Sequence, residues 1–182
     1  MTRIAILGWG SLVWNPGELP HYGPWKKDGP TLPIEFSRVS RDSRLTLVID
    51  PVVGAECPTR FALSPRSAVA DAVEDLRRRE STVREHIGFC HRGGESSSRD
   101  EDDVIAVVRR WCDDACFDAI VWTALPSNFY EETRTTFSVD TGLSYLRSLP
   151  KTGLESALKY IRSAPAEVDT PLRRRVVTEW PP

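Results

Sequence analysis

Apolar positions change their period several times along the chain, and each change predicts an element. Ile4 to Leu7 is a short unbroken apolar run ending at Gly8, the pattern of a central strand covered on both faces. From Asn15 to Pro33 the prolines at 16, 20, 24, 30 and 33 and the glycines at 17, 23 and 29 interrupt any helix or ladder, which predicts an ordered loop or flap. "IEFSRVS" (34–40) and "RLTLVID" (44–50) alternate or are β-branched and are joined by "RDS", so they predict an antiparallel hairpin; "RFALS" (60–64) predicts a further short strand. The period then lengthens. Ser67 stands where a helix cap would, and Val69, Val73, Leu76, Val83 and Ile87 recur at helical steps, predicting one helix through that whole stretch. "HRGGESSSRDEDD" reads as a polar connector, "DVIAVVRRWCDDAC" as a second helix and "DAIVWTAL" (118–125) as a strand closed by Pro126. "GLSYLRSLP", "GLESALKYIRSAP" and "TPLRRRVVTEW" predict three short helices in the C-terminal region. Early strands followed by helices indicate an α+β chain, and the 182 residues suit one domain spanning 1–182.

Composition narrows the function classes. Apolar residues make up 40% and charged residues 27%, with a formal net charge of −2, so neither a disordered chain nor a nucleic-acid binder is expected. No apolar run has the length of a membrane span, and the chain opens directly on a strand without a charged leader, so the cytosol is the expected compartment, with no membrane partner. Cys57, Cys90, Cys112 and Cys116 lack the density of a disulfide framework and are read as reduced thiols. Cys112 and Cys116, with Cys90 and His91, lack paired C-x2-C spacing, and no metal site is expected. The triplets at 77–79 and 173–175 are read as solvent faces of helices, because three consecutive arginines spread around most of a turn.

One carboxylate stands out on the helical wheel. Val69, Val73, Leu76, Val83 and Ile87 fall within roughly 40 degrees of one direction, and Glu80 lies in the middle of that stripe, whereas Glu74, Asp75 and Glu85 point away. An inward carboxylate is costly unless it pairs with a cation, accepts backbone hydrogen bonds, or has its pKa raised into the range of a general acid/base. The alternatives are that the helix ends or bends near Glu80, or that an arginine such as Arg38 or Arg60 pairs with it structurally.

A second feature is "GWGSLVW" (8–14), directly after the first strand. It lacks the third glycine of a dinucleotide fingerprint and the G-x-S-x-G of a nucleophile elbow, and is read either as a backbone cradle for an anion or as a tight turn with Trp9 and Trp14 in the core. It resembles the "G-Y-G-S-L-x-W" signature of the γ-glutamylcyclotransferase superfamily, particularly its ChaC-like branch. "LRRRE", ending at Glu80, is similar to the helical context of that branch's catalytic glutamate, and "EFSRVS" is similar to a family strand that turns an arginine and a serine, here Arg38 and Ser40, toward the cavity. The resemblance covers roughly the first half of the chain. It implies a small mixed β-barrel flanked by helices, no cofactor, and cyclisation of a γ-glutamyl group to 5-oxoproline with release of an amine or amino acid. Glu80 would be the acid/base, and Gly8, Trp9, Gly10, Ser11 and Leu12, with Arg38 and Ser40, would bind the γ-glutamyl substrate. Trp9 stands where the family usually has tyrosine; for the family's later tyrosine motifs the candidates, by residue type alone, are Tyr130, Tyr145 and Tyr160, and Tyr22 and Trp25 of the Pro-rich loop are an alternative for that role. Glutathione, γ-glutamyl amino acids and γ-glutamylamines all remain open as substrates. Two rival readings are a non-catalytic member of the fold binding a small acidic metabolite or partner peptide, and a thiol hydrolase using Cys90.

Overall fold

The computed structural model describes residues 2–181. At its centre is the first apolar run: β1 (Ile4–Gly8) is buried along its whole length, with Ile4 and Ile6 in one hydrophobic cluster and Ala5 and Leu7 in another. A strand alternates its side chains between two faces, so continuous hydrophobicity here means two covered faces. β1 lies between β6 (Arg60–Leu63), antiparallel to it, and β9 (Ala119–Thr123), parallel to it. The full order of this six-stranded sheet is β2 (Tyr22–Lys26), β6, β1, β9, β7 (Ile87–His91), β8 (Ser96–Ser97).

The expected hairpin is β3 (Thr31–Val39) with β4 (Leu45–Ile49), and β5 (Ala55–Pro58) pairs on the other edge of β3 to give a second sheet of three strands. The sheets do not close into the expected barrel: no ladder joins them among the described residues. Only Thr59 separates β5 from β6, so the chain passes from one sheet directly into the other. The outer edge of β6 is then occupied by β2, through pairs at Tyr22–Leu63 and Lys26–Phe61 with a bulge between them. β2 comes from the Pro-rich stretch expected to be a loop, and its pairing takes the hydrogen-bonding edge that closure would need.

The long helix expected through Ile87 is also shorter. α2 spans Val69–Glu80, and Ser81 ends it in the left-handed conformation with φ 49°. Val83 is left exposed, and Ile87 opens β7, a strand the helical period concealed. Ala68, not Ser67, precedes the first turn, and no side chain caps it. α2 rests on β1, β7 and β9 through Ala72, Val73 and Leu76.

On the other side lie α3 (Asp102–Asp114), α5 (Val139–Ser148), α6 (Lys151–Ser163) and α7 (Pro171–Glu179), the last three being the expected C-terminal helices. α5 carries a reciprocal capping box between Ser138 and Thr141, and α7 starts on Thr170 with Pro171 in its first turn. Two short helices, α1 (Ser11–Trp14) and α4 (Phe129–Thr133), complete the set among the described residues. None of these helices is long and apolar enough to cross a membrane.

Candidate active site

Parallel pairing of β1 with β9 brings the carboxyl ends of both strands to one edge of the sheet. β1 stops at Gly8 and the chain turns into α1; α2 delivers its last residue, Glu80, to the same place; the turn between β3 and β4 folds over it; and α6 supplies Tyr160. These ends enclose a cavity of about 350 Å³. Gly8, Trp9, Gly10, Ser11, Leu12, Arg38, Ser40 and Glu80 all line it, so the structure brings together the residues that the resemblance implies for the site.

The Gly8–Leu12 segment is shaped by close approach and not by unusual torsions. Neither Gly8 nor Gly10 has a positive φ. A Cβ on Gly8 would lie 2.7 Å from the ring of Trp25, and one on Gly10 would lie 3.4 Å from the Tyr160 hydroxyl. Trp9 and Leu12 bury their side chains in the two hydrophobic clusters. Gly10 precedes α1, so the amides of Ser11 and Leu12 belong to a first turn that has no intrahelical acceptor for them.

Glu80 is only 16% exposed at its side chain. Burial raises its carboxyl above the ordinary 4.5, while the Arg79 charge and a hydrogen bond from Thr123 act in the opposite direction. Among the described residues its ionic contact is a single one, Arg79 Nη1 to Glu80 Oε1 at 3.2 Å. Arg79 also donates through Nη2 to Ser11 Oγ at 3.1 Å and to the Asn15 carbonyl at 2.7 Å, tying the end of α2 to α1. The triplet at 77–79 is therefore not a uniform solvent face. Arg77 and Arg78 pair with Glu74 on the surface, and Arg79 turns into the cavity. Arg173 departs in the same way, donating to the carbonyls of Ala164, Pro165 and Val168 behind α6.

Tyr160 is the most informative addition. Its hydroxyl stands beside Gly10, close to Ser11, and near enough to Glu80 to feel its charge; burial pushes the phenol up, the Glu80 charge pushes in the same direction, and Ser11 opposes both. Trp14 meets the ring edge-on at 5.3 Å, and the Arg44 guanidinium stacks 5.2 Å from its centre. Sequence spacing offers no link between Gly10 and a residue 150 positions later; only the docking of α6 against β4 and α1 makes one. Tyr22 is exposed and Trp25 packs behind Gly8, so neither lines the cavity.

Arg38 donates to the Pro126 carbonyl at 2.7 Å, and its burial draws its pKa down. Ser40 is engaged in its own turn, giving its hydroxyl to Asp42 at 2.6 Å, and Arg44 closes on the same carboxylate at 2.7 Å. Arg38, Arg41, Arg44 and Arg79 against Asp42 and Glu80 leave the lining with an excess of positive charge.

The cysteines lie apart from this cavity. Cys57, Cys90 and Cys112 are buried and Cys116 is exposed, all as free thiols; Cys116 follows the end of α3 at φ 57° and so does not share a helical face with Cys112. Burial pushes the Cys90 thiol up to about 12, against use as a nucleophile. Among the described residues no group of three or more His, Cys, Asp or Glu side chains is placed to hold a metal ion.

Compared with protein-family models, with curated proteins and with solved structures, the chain matches none of them.

Proposed function

We propose that the chain is a γ-glutamylcyclotransferase-like enzyme that converts a γ-glutamyl compound into 5-oxoproline and a free amine. The observation that carries this reading is the placement of Glu80: a largely buried carboxylate on a positively lined cavity, facing the Gly8–Leu12 segment, with one 3.2 Å cationic contact. A purely structural glutamate in this position would be expected to be locked bidentate by an arginine, and Arg79 instead shares its nitrogens among Glu80, Ser11 and Asn15.

In this reading the α-carboxylate of the γ-glutamyl group sits on the amides of Gly10, Ser11 and Leu12, and the arginine-rich lining favours its charge. Glu80 accepts a proton from the α-ammonium, and the freed nitrogen attacks the γ-carbonyl carbon. As the new C–N bond closes the five-membered ring, the old amide C–N bond breaks, and the departing amine leaves with the two protons the α-nitrogen gave up, relayed through Glu80. No water enters the balance. Tyr160, beside Gly10 and Glu80, supplies the hydroxyl absent from Trp9 and orders the cradle through Ser11. The unpaired thiols fit the reducing cytosol in which we place this chemistry.

The decisive experiment measures 5-oxoproline released from a panel of γ-glutamyl amino acids, peptides and amines by the native protein and by Glu80→Gln, matched for folding by circular dichroism. Turnover that the substitution abolishes is the expected result. A panel inert with the native protein overturns the enzyme and leaves a cavity for binding an acidic metabolite.

A further inference from the structure

Next to the cavity of Glu80 lies a second one of about 710 Å³, on the other side of α1. Ser11, Arg44, Arg79 and Tyr160 line both, so the wall between them consists of those four residues. Arg79 runs along this wall: one terminal nitrogen touches Glu80, and the other reaches Ser11 and Asn15, and Asn15 lines only the second cavity.

The charge of the second cavity is asymmetric. Arg44, Arg66, Arg78 and Arg79 face Glu18 and Asp75. Asp75 is consumed by Arg66, which grips it through Nε at 2.6 Å and Nη2 at 3.0 Å. Arg78 gives only its Nε to a protein acceptor among the described residues, Glu74 Oε1 at 2.7 Å, and its side chain is 70% exposed. Its terminal N–H groups are therefore available to an arriving anion, and a planar guanidinium matches a carboxylate in shape and charge.

We propose that the second cavity receives the leaving group and selects amines that carry a carboxylate, that is, γ-glutamyl amino acids or peptides over γ-glutamylamines. The proposal rests on the cyclotransferase reading of Glu80. An amine released beside Glu80 is released beside the dividing wall, and an amino acid bears its carboxylate two bonds from that nitrogen, next to Arg79. In a dipeptide the carboxylate lies farther along, toward Arg78. A cationic or neutral amine would leave the positive excess unanswered.

The test has two readouts on the full-length protein. In the first, kcat and KM are measured for γ-glutamyl-alanine and γ-glutamyl-alanyl-glycine, each beside its C-terminal amide. The acid of at least one pair is expected to exceed its amide by about tenfold or more in kcat/KM, the scale of one charge-assisted hydrogen bond, and the difference is expected in KM. Arg78→Gln should cut that preference severalfold for the peptide, and preference in only one pair tells which length the cavity fits. In the second, which needs no turnover, N-acetylglycinate and N-acetylglycinamide are titrated into the protein by calorimetry; saturable binding of the acid, about tenfold tighter than the amide, is expected. Turnover with equal efficiency for acids and amides overturns the proposal and leaves the cyclotransferase standing. Binding of the acid by a protein that releases no 5-oxoproline from any compound overturns both the enzyme and the leaving-group role.

Discussion

Glu35 and Glu80 are both carboxylates taken out of water, and burial raises both above the ordinary 4.5. Their surroundings differ in one respect that decides their roles. Glu35, on β3, is wholly buried and its oxygens are occupied: Oε1 accepts from the Phe36 amide at 2.8 Å and Oε2 from the Leu172 amide at 3.3 Å. Its carboxyl thereby accepts from the first turn of α7, where the unpaired amides and the helix dipole favour negative charge. Glu80 sits at the opposite end of a helix, where the dipole disfavours it, and faces a cavity with one long ionic contact. A raised pKa alone does not separate a catalyst from a rivet; unspent hydrogen-bonding capacity facing a cavity does.

Removing each carboxylate in turn separates the two roles. Glu80→Ala is expected to lose about 10²–10⁴-fold in kcat, the range of a general acid/base, while the urea midpoint stays near the native value or rises. Glu35→Ala is expected to do the reverse, costing about 3 kcal/mol of stability because two backbone amides lose their acceptor and a cavity is left, with kcat per folded molecule unchanged. Loss of activity without loss of stability in Glu35→Ala would place the functional carboxylate in the wrong region.

The two glutamates were not equally legible. Glu80 could be found because Val73, Leu76 and Glu80 follow one another at steps of three and four, and the two apolar members are buried against the central sheet. Val69 belongs to this stripe too, at the start of the helix, but the far end of the stripe was accidental: Val83 is exposed beyond the helix end, and Ile87 belongs to β7. One continuous helix and the shorter true helix both turn this residue inward, because the true end falls on Glu80 itself. Nothing local marks Glu35 as the seat of α7, because the Leu172 amide that it holds lies 137 positions away. Arg79 was hidden inside a charge triplet, and Tyr160 behind its distance in sequence. Long-range docking is what the local pattern omits. The same holds for the sheets: the strands at 4–8, 34–49 and 60–63 follow their periods, while the absence of a barrel depends on β2, which five prolines disguised as a loop.

A smaller effect sharpens the electrostatics of Glu80. Since burial raises its pKa and Arg79 partly offsets the rise, the acid limb of kcat/KM is expected above pH 4.5, and Arg79→Gln should move that limb to higher pH. Arg79→Lys should return the limb part of the way, because a lysine restores the charge without the fork that joins Ser11 and Asn15. An unmoved limb in both variants would assign the titration to another group.

The smallest effect compares Glu80 with Glu74, six residues earlier on the same helix. Hydrogen bonds from Arg77 and Arg78 hold the Glu74 carboxyl down at about 2, so its pairing stabilises the fold fully above the ordinary 4.5 and is lost as pH falls from there through about 2. Glu80 has the opposite sign. Its raised pKa means that the folded state holds the proton more tightly than the unfolded one, so its carboxylate weakens the fold progressively as pH rises above 4.5. Stability of the native protein minus that of Glu74→Gln should therefore be positive at neutral pH and shrink on acidification, and high salt should shrink it too, because the ion pair is at the surface. The same difference for Glu80→Gln should move upward on acidification and respond less to salt. Urea midpoints measured across that pH range for both variants give two slopes, and slopes of the same sign would show that Glu80 is held as a paired anion like Glu74 and is not the carboxylate on which the cavity's chemistry depends.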